Sequence, residues 1–494
     1  MGNSERIWGW ALICGGVALL LAGCAVGPDF LPPAPPNVAG YITAGLETAD
    51  PGEGQQLVAE ARSRENWWHE LGSAKLNSLI EAALANNPTL SAAAATLRQV
   101  EELYVARSGS TLYPQVDASL SGQRQRFNPA TSGQSGGVRE FSLYNAGVGV
   151  RYTFDLAGGN RRALEALAAR ADYQRYQLAG ARLTLAANIV TAAITQAGLS
   201  MQVTTMAGIL RSQEEQLALT RKRVRLGQTA PDDELALLAR VEQTRGGIPL
   251  LRNRLQQTEH LLAVLAGRPP AAGGVPSFSL GDFTLPPALP LLVPAELVRV
   301  RPDIQAAEAL LHAANAEYGV AIAKLYPQLD LSGDLGSQAL TTGALFGSGS
   351  AVWSLVGQLT QPLFNPGLPA EKRAALAVFD AAAAHYQAVV LDALRNVADV
   401  LRALENDAER LAALAAADGA AGAALASSER RYELGAVGYY ELLIAQQQSQ
   451  QARFELIEAQ AKRLVNSVAF YQAMGGGWPT EEMAPANAAA TLAQ

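Results

Sequence analysis

The stretch Leu112-Tyr113-Pro114-Gln115-Val116-Asp117 returns later in the chain as Leu325-Tyr326-Pro327-Gln328-Leu329-Asp330. Two further pairs keep a similar spacing: Arg225-Leu226-Gly227 with Glu433-Leu434-Gly435, and Ala266-Gly267 with Met474-Gly475. A fixed offset between similar segments indicates a structural unit that is used more than once. The sequence therefore predicts one unit of about 210 residues, present in two copies.

The two copies set the expected organisation of the chain. We predict the first copy over residues 65–266 and the second over 294–474, joined by a Pro- and Gly-rich linker at 267–293. An extended segment, 24–64, precedes the first copy, and a tail, 475–494, follows the second. This repeat replaces the estimate of about three domains that chain length alone would suggest.

Composition excludes several classes of protein. Of the 494 residues, 49% are hydrophobic and only 17% are charged, which is too apolar for a disordered chain. The net charge of -7 argues against nucleic acid as a partner. No interior stretch reaches about 18 uninterrupted apolar residues, so we do not expect a membrane protein with many helical spans.

Each copy contains two segments in which apolar and polar residues alternate. They lie at about 115–125 and 142–155 in the first copy, and at about 328–338 and 352–363 in the second. Alternation over about 9–11 residues is typical of transmembrane β-strands. A soluble antiparallel hairpin packed on helices would give the same alternation, and that alternative stays open on this pattern alone.

Two arginines indicate where the lipid-facing part of the first strand ends. Arg124 and Arg126 continue the apolar side of the first strand, and an Arg that faces lipid at the midplane costs about 2–4 kcal/mol. We therefore expect the lipid-facing band to end near Gly122, and an exposed loop from Phe127 to Glu140.

Long helical stretches follow the strands. The first helical stretch runs from Gly159 to Leu226. Apolar residues recur at seven-residue spacing over 164–206 and again over 376–411, which indicates coiled-coil packing. The first of these helices would span about 100 Å. Its second seam carries the small or polar residues Gln174, Asn188, Thr195 and Gln202. Such a seam suits a wide tube of helices with a wet interior better than a dry rod.

The four candidate membrane strands of one chain cannot close a barrel. An open sheet edge in lipid would leave backbone groups without hydrogen bonds. Two chains would give eight strands with a filled interior, whereas three give twelve and space for a water-filled lumen. We therefore predict an α+β membrane protein that forms a homotrimer. Its 12-stranded β-barrel, four strands per chain, continues into a long α-helical barrel.

The N-terminus predicts a lipoprotein signal peptide over residues 1–23, with Arg6 before an apolar run. Leu21-Ala22-Gly23-Cys24 resembles the bacterial lipobox, in which the Cys becomes the acylated first residue of the mature protein. An uncleaved helix that ends at an incidental Cys is the alternative. Ala25, where an Asp would retain a lipoprotein at the inner membrane, favours the outer membrane.

Four motifs in fixed order resemble the outer-membrane efflux lipoproteins, the OprM/NodT-type branch of the TolC family. They are Cys24-Ala25-Val26-Gly27-Pro28-Asp29-Phe30, Arg301-Pro302-Asp303-Ile304 with Ala307-Glu308, Tyr326-Pro327-Gln328 and Gly475-Gly476-Gly477-Trp478. The resemblance implies a trimeric exit duct, lipid-anchored in the outer membrane and extending into the periplasm, that passively conducts small toxic compounds. It also implies two partners, a periplasmic adaptor (membrane fusion) protein and an inner-membrane pump of the resistance-nodulation-division (RND) class. No cofactor is implied beyond the covalent lipid on Cys24.

In that family the periplasmic constriction lies at the helical turns. The resemblance therefore assigns Gly227 and Gly435 to adaptor contacts, and Tyr432, Glu441 and Asp233 to a periplasmic gate. Three copies of Glu441 would form a ring that favours cations. Ile444 stands where the family has a second gate acid, so a double ring is not expected. The acids could instead serve only the helix dipole.

Other functions find less support. The four histidines, His69, His260, His312 and His385, have no ligand spacing that would suit a metal. No nucleophile motif appears, so we expect neither an enzyme nor a metal site. Arg301 and Glu308 are expected to serve a helix start and a structural ion pair.

Two competing functions remain. One is the exit duct of a type I protein-secretion system, and the other is a periplasmic coiled-coil lipoprotein without a pore. Lipidation and the Arg301-Pro302-Asp303 motif favour efflux.

Overall fold

A computed structural model of the protein describes residues 25–42, 52–59 and 64–477, except 39, 53 and 129–136. The predicted signal peptide, Cys24 and the tail beyond 477 lie outside the described residues. The helices are α1 (Ala74–Asn86), α2 (Pro88–Leu112), α3 (Gly159–Arg225), α4 (Pro231–Leu265), α5 (Pro294–Val300), α6 (Pro302–Ala323), α7 (Gly367–Glu433) and α8 (Tyr439–Ala473). The strands are β1 (Gln56–Ala59), β2 (Gln115–Phe127), β3 (Arg139–Phe154), β4 (Ala288–Leu291), β5 (Gln328–Ala339) and β6 (Ala351–Thr360).

The duplication is visible in the lengths of the helices. The two long helices α3 and α7 both have 67 residues, and the return helices α4 and α8 both have 35. Each long helix follows a pair of antiparallel strands, β2–β3 or β5–β6. One unit of strand, strand, long helix and return helix is therefore built twice.

The four long strands form one antiparallel sheet in the order β2-β3-β5-β6. Residues that lie side by side on neighbouring strands share the same polarity, so they form apolar and polar rows across the sheet. Ala118, Val148, Leu335 and Trp353 form an apolar row, and the adjacent row on the other face is Asp117, Gly149, Asp334 and Ser354. The sheet thus has one apolar and one polar face. Its edges β2 and β6 are exposed along their whole lengths.

Three strand ends differ from the sequence prediction. β3 begins at Arg139, so the expected loop does not extend to Glu140. β6 ends at Thr360, before Pro362, whose nitrogen has no hydrogen to donate to a sheet. β2 instead continues to Phe127, beyond the expected end of the lipid-facing band. There Arg124 and Arg126 lie 3.5 and 3.9 Å from the Glu140 carboxylate on β3, and this pairing carries the hairpin past the apolar rows.

The region predicted as a linker takes part in the core. Within 267–293, β4 pairs in parallel with β1 of the extended N-terminal segment, and Phe278 and Phe283 are buried. The main core lies here, where Trp67 stacks on Tyr471 with ring centroids 5.2 Å apart. Four-residue strands are too short to give a periodic signal, so the sequence did not reveal this small sheet.

The helices form two layers with open ends. Beside the sheet the packing order is α2, α3, α6, α7, and beside the turns it is α4, α3, α8, α7. Helices α3 and α7 each contain an 18-residue window apolar enough to cross a membrane by length and composition. Half of that window is buried in α3, but only 11% is buried in α7. A large apolar surface of α7 is therefore uncovered within one chain.

Candidate functional site

The two long helices end in turns of the same geometry. Gly227 and Gly435 have φ values of 70° and 72°, in the left-handed region that favours glycine. After α3, the Gly227 and Gln228 N–H groups donate to the carbonyls of Val224 and Arg223, each at 2.9 Å. The same two bonds close the turn at Gly435. This is a Schellman motif, and it sends both return helices back along the helix that precedes them.

Tyr432 links the ends of the two long helices. Its hydroxyl accepts a hydrogen bond of 3.2 Å from Arg223 Nη1 on α3, and the same guanidinium lies 5.6 Å from the ring centroid. The Tyr432 ring also packs edge-on against Tyr439 of α8, at a centroid distance of 5.7 Å. Tyr432 thus connects three helices immediately above the turns.

An apolar cluster packs beside this link, on the side away from the turns. Its buried members are Leu217, Leu237, Val241, Tyr439 and Leu442, which come from α3, α4 and α8. Burial raises the pKa of Tyr439, and the nearby Tyr432 and Asp233 charges raise it further. The Tyr439 hydroxyl is buried and has no hydrogen-bond partner among the described residues.

The two predicted gate acids are in different surroundings. Glu441, in the first turn of α8, accepts a hydrogen bond of 2.9 Å from Arg431, and both side chains are about half exposed. Asp233 lies in the first turn of α4 beside Asp232 and Glu234, where a helix dipole favours acids. Within one chain the Glu441 charge is therefore compensated by Arg431.

Sequence reasoning missed Arg223, Arg431 and Tyr439. Both arginines precede their turn glycine by four residues, so the repeat itself contained a signal for them. Tyr439 gave none, since a Tyr in the first turn of a helix has no distinctive pattern.

The remaining candidate residues serve structure. Arg301 forms a 2.9 Å ion pair with Asp303 and donates hydrogen bonds to the carbonyls of Ala393 and Ala473. The ion pair expected for Glu308 is wrong: Arg301 pairs with Asp303 instead, and Glu308 has no ion-pair partner in the described part of the chain. Burial raises the pKa of Glu308. His312 binds Glu165 at 2.8 Å. Across the described residues, no three metal-ligating side chains come together.

The family model described as "Outer membrane efflux protein" matches residues 79–268 and 293–476. The chain belongs to the outer membrane efflux protein family. It is 28% identical to the outer membrane protein OprJ of Pseudomonas aeruginosa, over 94% of this chain and 95% of OprJ. It is 30% identical to the pyoverdine export outer membrane protein OpmQ of Pseudomonas putida, over 91% of this chain and 95% of OpmQ.

Membership in the efflux family agrees with the structural comparison. The solved outer-membrane channel OprN superposes with a TM-score of 0.84 at 29% identity, over 92% of this chain and all of the OprN chain. These relatives are channel components of efflux systems rather than enzymes. The predicted resemblance, the outer-membrane location and the function as the exit duct of an efflux system are therefore confirmed.

Proposed function

We propose that this efflux protein is one third of a trimeric, passive exit duct, and one observation carries the proposal. The sheet and both helical layers are open strips, each with a first-copy element at one edge and a second-copy element at the other. The edges are β2 and β6 in the sheet, α2 and α7 in the helical layer beside the sheet, and α4 and α7 in the layer beside the turns. Identical chains can therefore join head to tail in all three layers at once, as a closed ring requires.

Closure of the ring would also provide hydrogen-bond partners for the backbone groups at the two edges of the sheet. Pairing β6 of one chain with β2 of the next would give each exposed edge a partner, as lipid requires. With four strands from each chain, a trimer has 12 strands and space for a water-filled lumen. The apolar rows then face lipid, and the Asp117–Ser354 row faces the lumen.

The same ring covers α7. Leu376, Val378 and Leu391 are exposed on this helix, as are Leu103 and Val105 on α2 at the opposite edge of the layer. In a ring, α7 of one chain packs against α2 of the next beside the membrane, and against α4 near the turns. Removal of these side chains from water would stabilise the trimer.

The lumen suits conduction of a range of solutes rather than storage of one. Its rows carry Ser, Asn, Gln and Asp side chains, and Arg151 lies 3.7 Å from Asp117. OpmQ is named for pyoverdine export, whereas we propose small toxic compounds as the cargo here. A periplasmic adaptor docked at Gly227 and Gly435 and an RND-type inner-membrane pump would supply cargo and energy.

We further propose Tyr432, Glu441 and Asp233 as gate residues and Cys24 as the site of lipidation. The Arg223–Tyr432 hydrogen bond supports the gate, because it ties the ends of α3 and α7 together. The Val26 N–H donates to the Ala157 carbonyl beside the end of β3, so the residue after Ala25 lies at the base of the sheet. That position supports an anchor in the adjoining leaflet.

Two measurements test the duct. Native mass spectrometry in detergent should give three chains, and planar bilayers should give discrete single-channel conductance. A stable monomer without conductance would contradict the proposal. A deletion strain should become more susceptible to toxic compounds with normal protein secretion, whereas a secretion duct would give the reverse.

A further inference from the structure

Arg162 is a buried cation at the point where the sheet meets the long helix. It lies in the first turn of α3, and only 5% of its side chain is exposed. The helix start offers no reason to bury a positive charge there, because the N-terminus of a helix favours anions. The side chain must therefore be held by its partners, and most of these belong to the N-terminal segment.

Residues 26–29 surround the Arg162 guanidinium. Its Nε donates to the Val26 carbonyl at 3.4 Å, and its Nη2 donates to the Gly27 carbonyl at 3.3 Å and to Asp29 Oδ1 at 2.7 Å. On the other side, Nη1 donates to Glu165 at 2.8 Å. One side chain thus binds three residues of a segment that lies more than 130 residues earlier in the chain.

Helix α6 supplies the remaining contacts to the N-terminal segment; together with Arg162 and Glu165 they form a clamp around residues 26–30. His312 binds Glu165 at 2.8 Å and stacks on Phe30 with ring centroids 4.3 Å apart, while Asn315 donates to the Pro28 carbonyl at 3.0 Å. Burial opposes ionisation of Glu165, but the hydrogen bonds from His312 and Arg162 outweigh it and lower its pKa. Glu165 is therefore charged and can accept hydrogen bonds from both Arg162 and His312.

Two glycines make the close approach possible. A Cβ atom at Gly158 would lie 2.5 Å from Ala25 Cα, and one at Gly319 would lie 3.0 Å from the Arg162 side chain. Gly158, at the N-cap of α3, thus leaves space for Ala25, and Gly319 on α6 leaves space for the Arg162 side chain.

We propose that Arg162 is the positioning residue of the lipid anchor: it locks residues 26–29 onto the junction of β3 and α3. The proposal rests on the proposed lipidation of Cys24. Ala25 lies against Gly158, and consecutive Cα atoms are about 3.8 Å apart. Acyl chains on the residue before Ala25 would therefore begin close to this junction. The anchor then enters the membrane at the rim of the barrel rather than at the end of a loose tether.

The test uses the full-length lipoprotein solubilised from outer membranes in detergent, where the periplasmic side is accessible to protease. Arg162→Met keeps the apolar stem but removes the charge and the donors. Arg170→Met is the matched control, because Arg170 lies on the same helix, α3, and pairs with Glu317 of α6 rather than with residues 26–29. Proteinase K cleavage between residues 25 and 36 is followed by mass spectrometry. We expect cleavage about tenfold faster in Arg162→Met and unchanged in the control.

A second measurement separates positioning from folding. A spin label at Leu31→Cys, whose native side chain is 83% exposed, should become mobile in Arg162→Met while the trimer stays intact. If Arg162→Met does not assemble, Asp29→Asn removes only the ion pair at an exposed carboxylate and should give a smaller increase in both readouts. An unchanged cleavage rate and an immobile label in these variants would overturn the proposal. An unacylated Cys24 in the wild-type mass spectrum would overturn the proposed lipidation instead, and would leave the cleavage result to report on the clamp alone.

Discussion

The Arg223 guanidinium lies 3.2 Å from the Tyr432 hydroxyl and joins the end of one long helix to the end of the other. The two residues are 209 positions apart in the chain. Because they come from different copies of the repeat, their contact is also a contact between the two hairpins. Any movement that separates α3 from α7 at the turns must break it.

Loss of this contact should favour the open duct. Tyr432→Phe keeps the ring but removes the acceptor of a hydrogen bond worth about 1 kcal/mol, so we expect an open probability about fivefold higher in planar bilayers. Tyr440→Phe is the control, because Tyr440 is 76% exposed. Equal open probabilities in both variants would argue that Tyr432 has no gating role.

The Arg431–Glu441 pair makes a specific prediction about ion selectivity. Glu441→Ala leaves Arg431 uncompensated at 2.9 Å from the lost carboxylate, which adds one net positive charge per chain. We expect the ratio of cation to anion permeability, measured from reversal potentials, to fall. Glu234→Ala changes the charge equally at the Arg221 pair on the other hairpin and should have less effect. Unchanged selectivity in Glu441→Ala would refute its gate assignment.

The buried carboxyl group of Glu308 should make the stability of the folded chain depend on pH. Burial raises its pKa, and the groups that face it are His312 on α6, Tyr176 on α3 and Tyr386 on α7. Since the folded-state pKa exceeds the ordinary value of 4.5, the stability of the folded chain falls as the pH rises from that value through the folded pKa.

Glu308→Gln should therefore raise the melting temperature near pH 7.5, and the gain should shrink as the pH is lowered towards 4. Glu317→Gln, at an exposed ion pair, is the control and should bring no such gain. A gain of the same size at both pH values would show that burial of the Glu308 charge is not the cause.

The close contact between β3 and β5 should be sensitive to side-chain size. A Cβ atom at Gly336 would lie 2.4 Å from the Ala146 carbonyl oxygen, so Gly336→Val must push the two strands apart at a cost of about 1–3 kcal/mol or more. We expect less heat-resistant oligomer on gels. Gly333→Val in the same strand meets only ordinary contacts, at 3.6 Å or more, and should assemble normally.

Much of the architecture could be predicted because its signals are local and repeated. Seven-residue spacing over 164–206 indicated the helix predicted for Gly159–Leu226, which the structure ends at Arg225, and alternation over 142–155 predicted the strand Arg139–Phe154. The order of four short motifs identified the family. Strand ends were less certain, because pairing with a neighbour such as Glu140 can extend a strand beyond its apolar alternation.

The sequence by itself determined the duplicated unit, the two-faced strands, the long helices and the efflux family, since each of these is encoded in the spacing of neighbouring residues. Only the tertiary structure decided which charges meet. Arg431 compensates Glu441, and Arg162 binds residues 26–29. The physical reason is that an ion pair depends on distance in space rather than in sequence. For Arg162, that distance is set by the packing of α3 and α6 around a segment from the start of the chain.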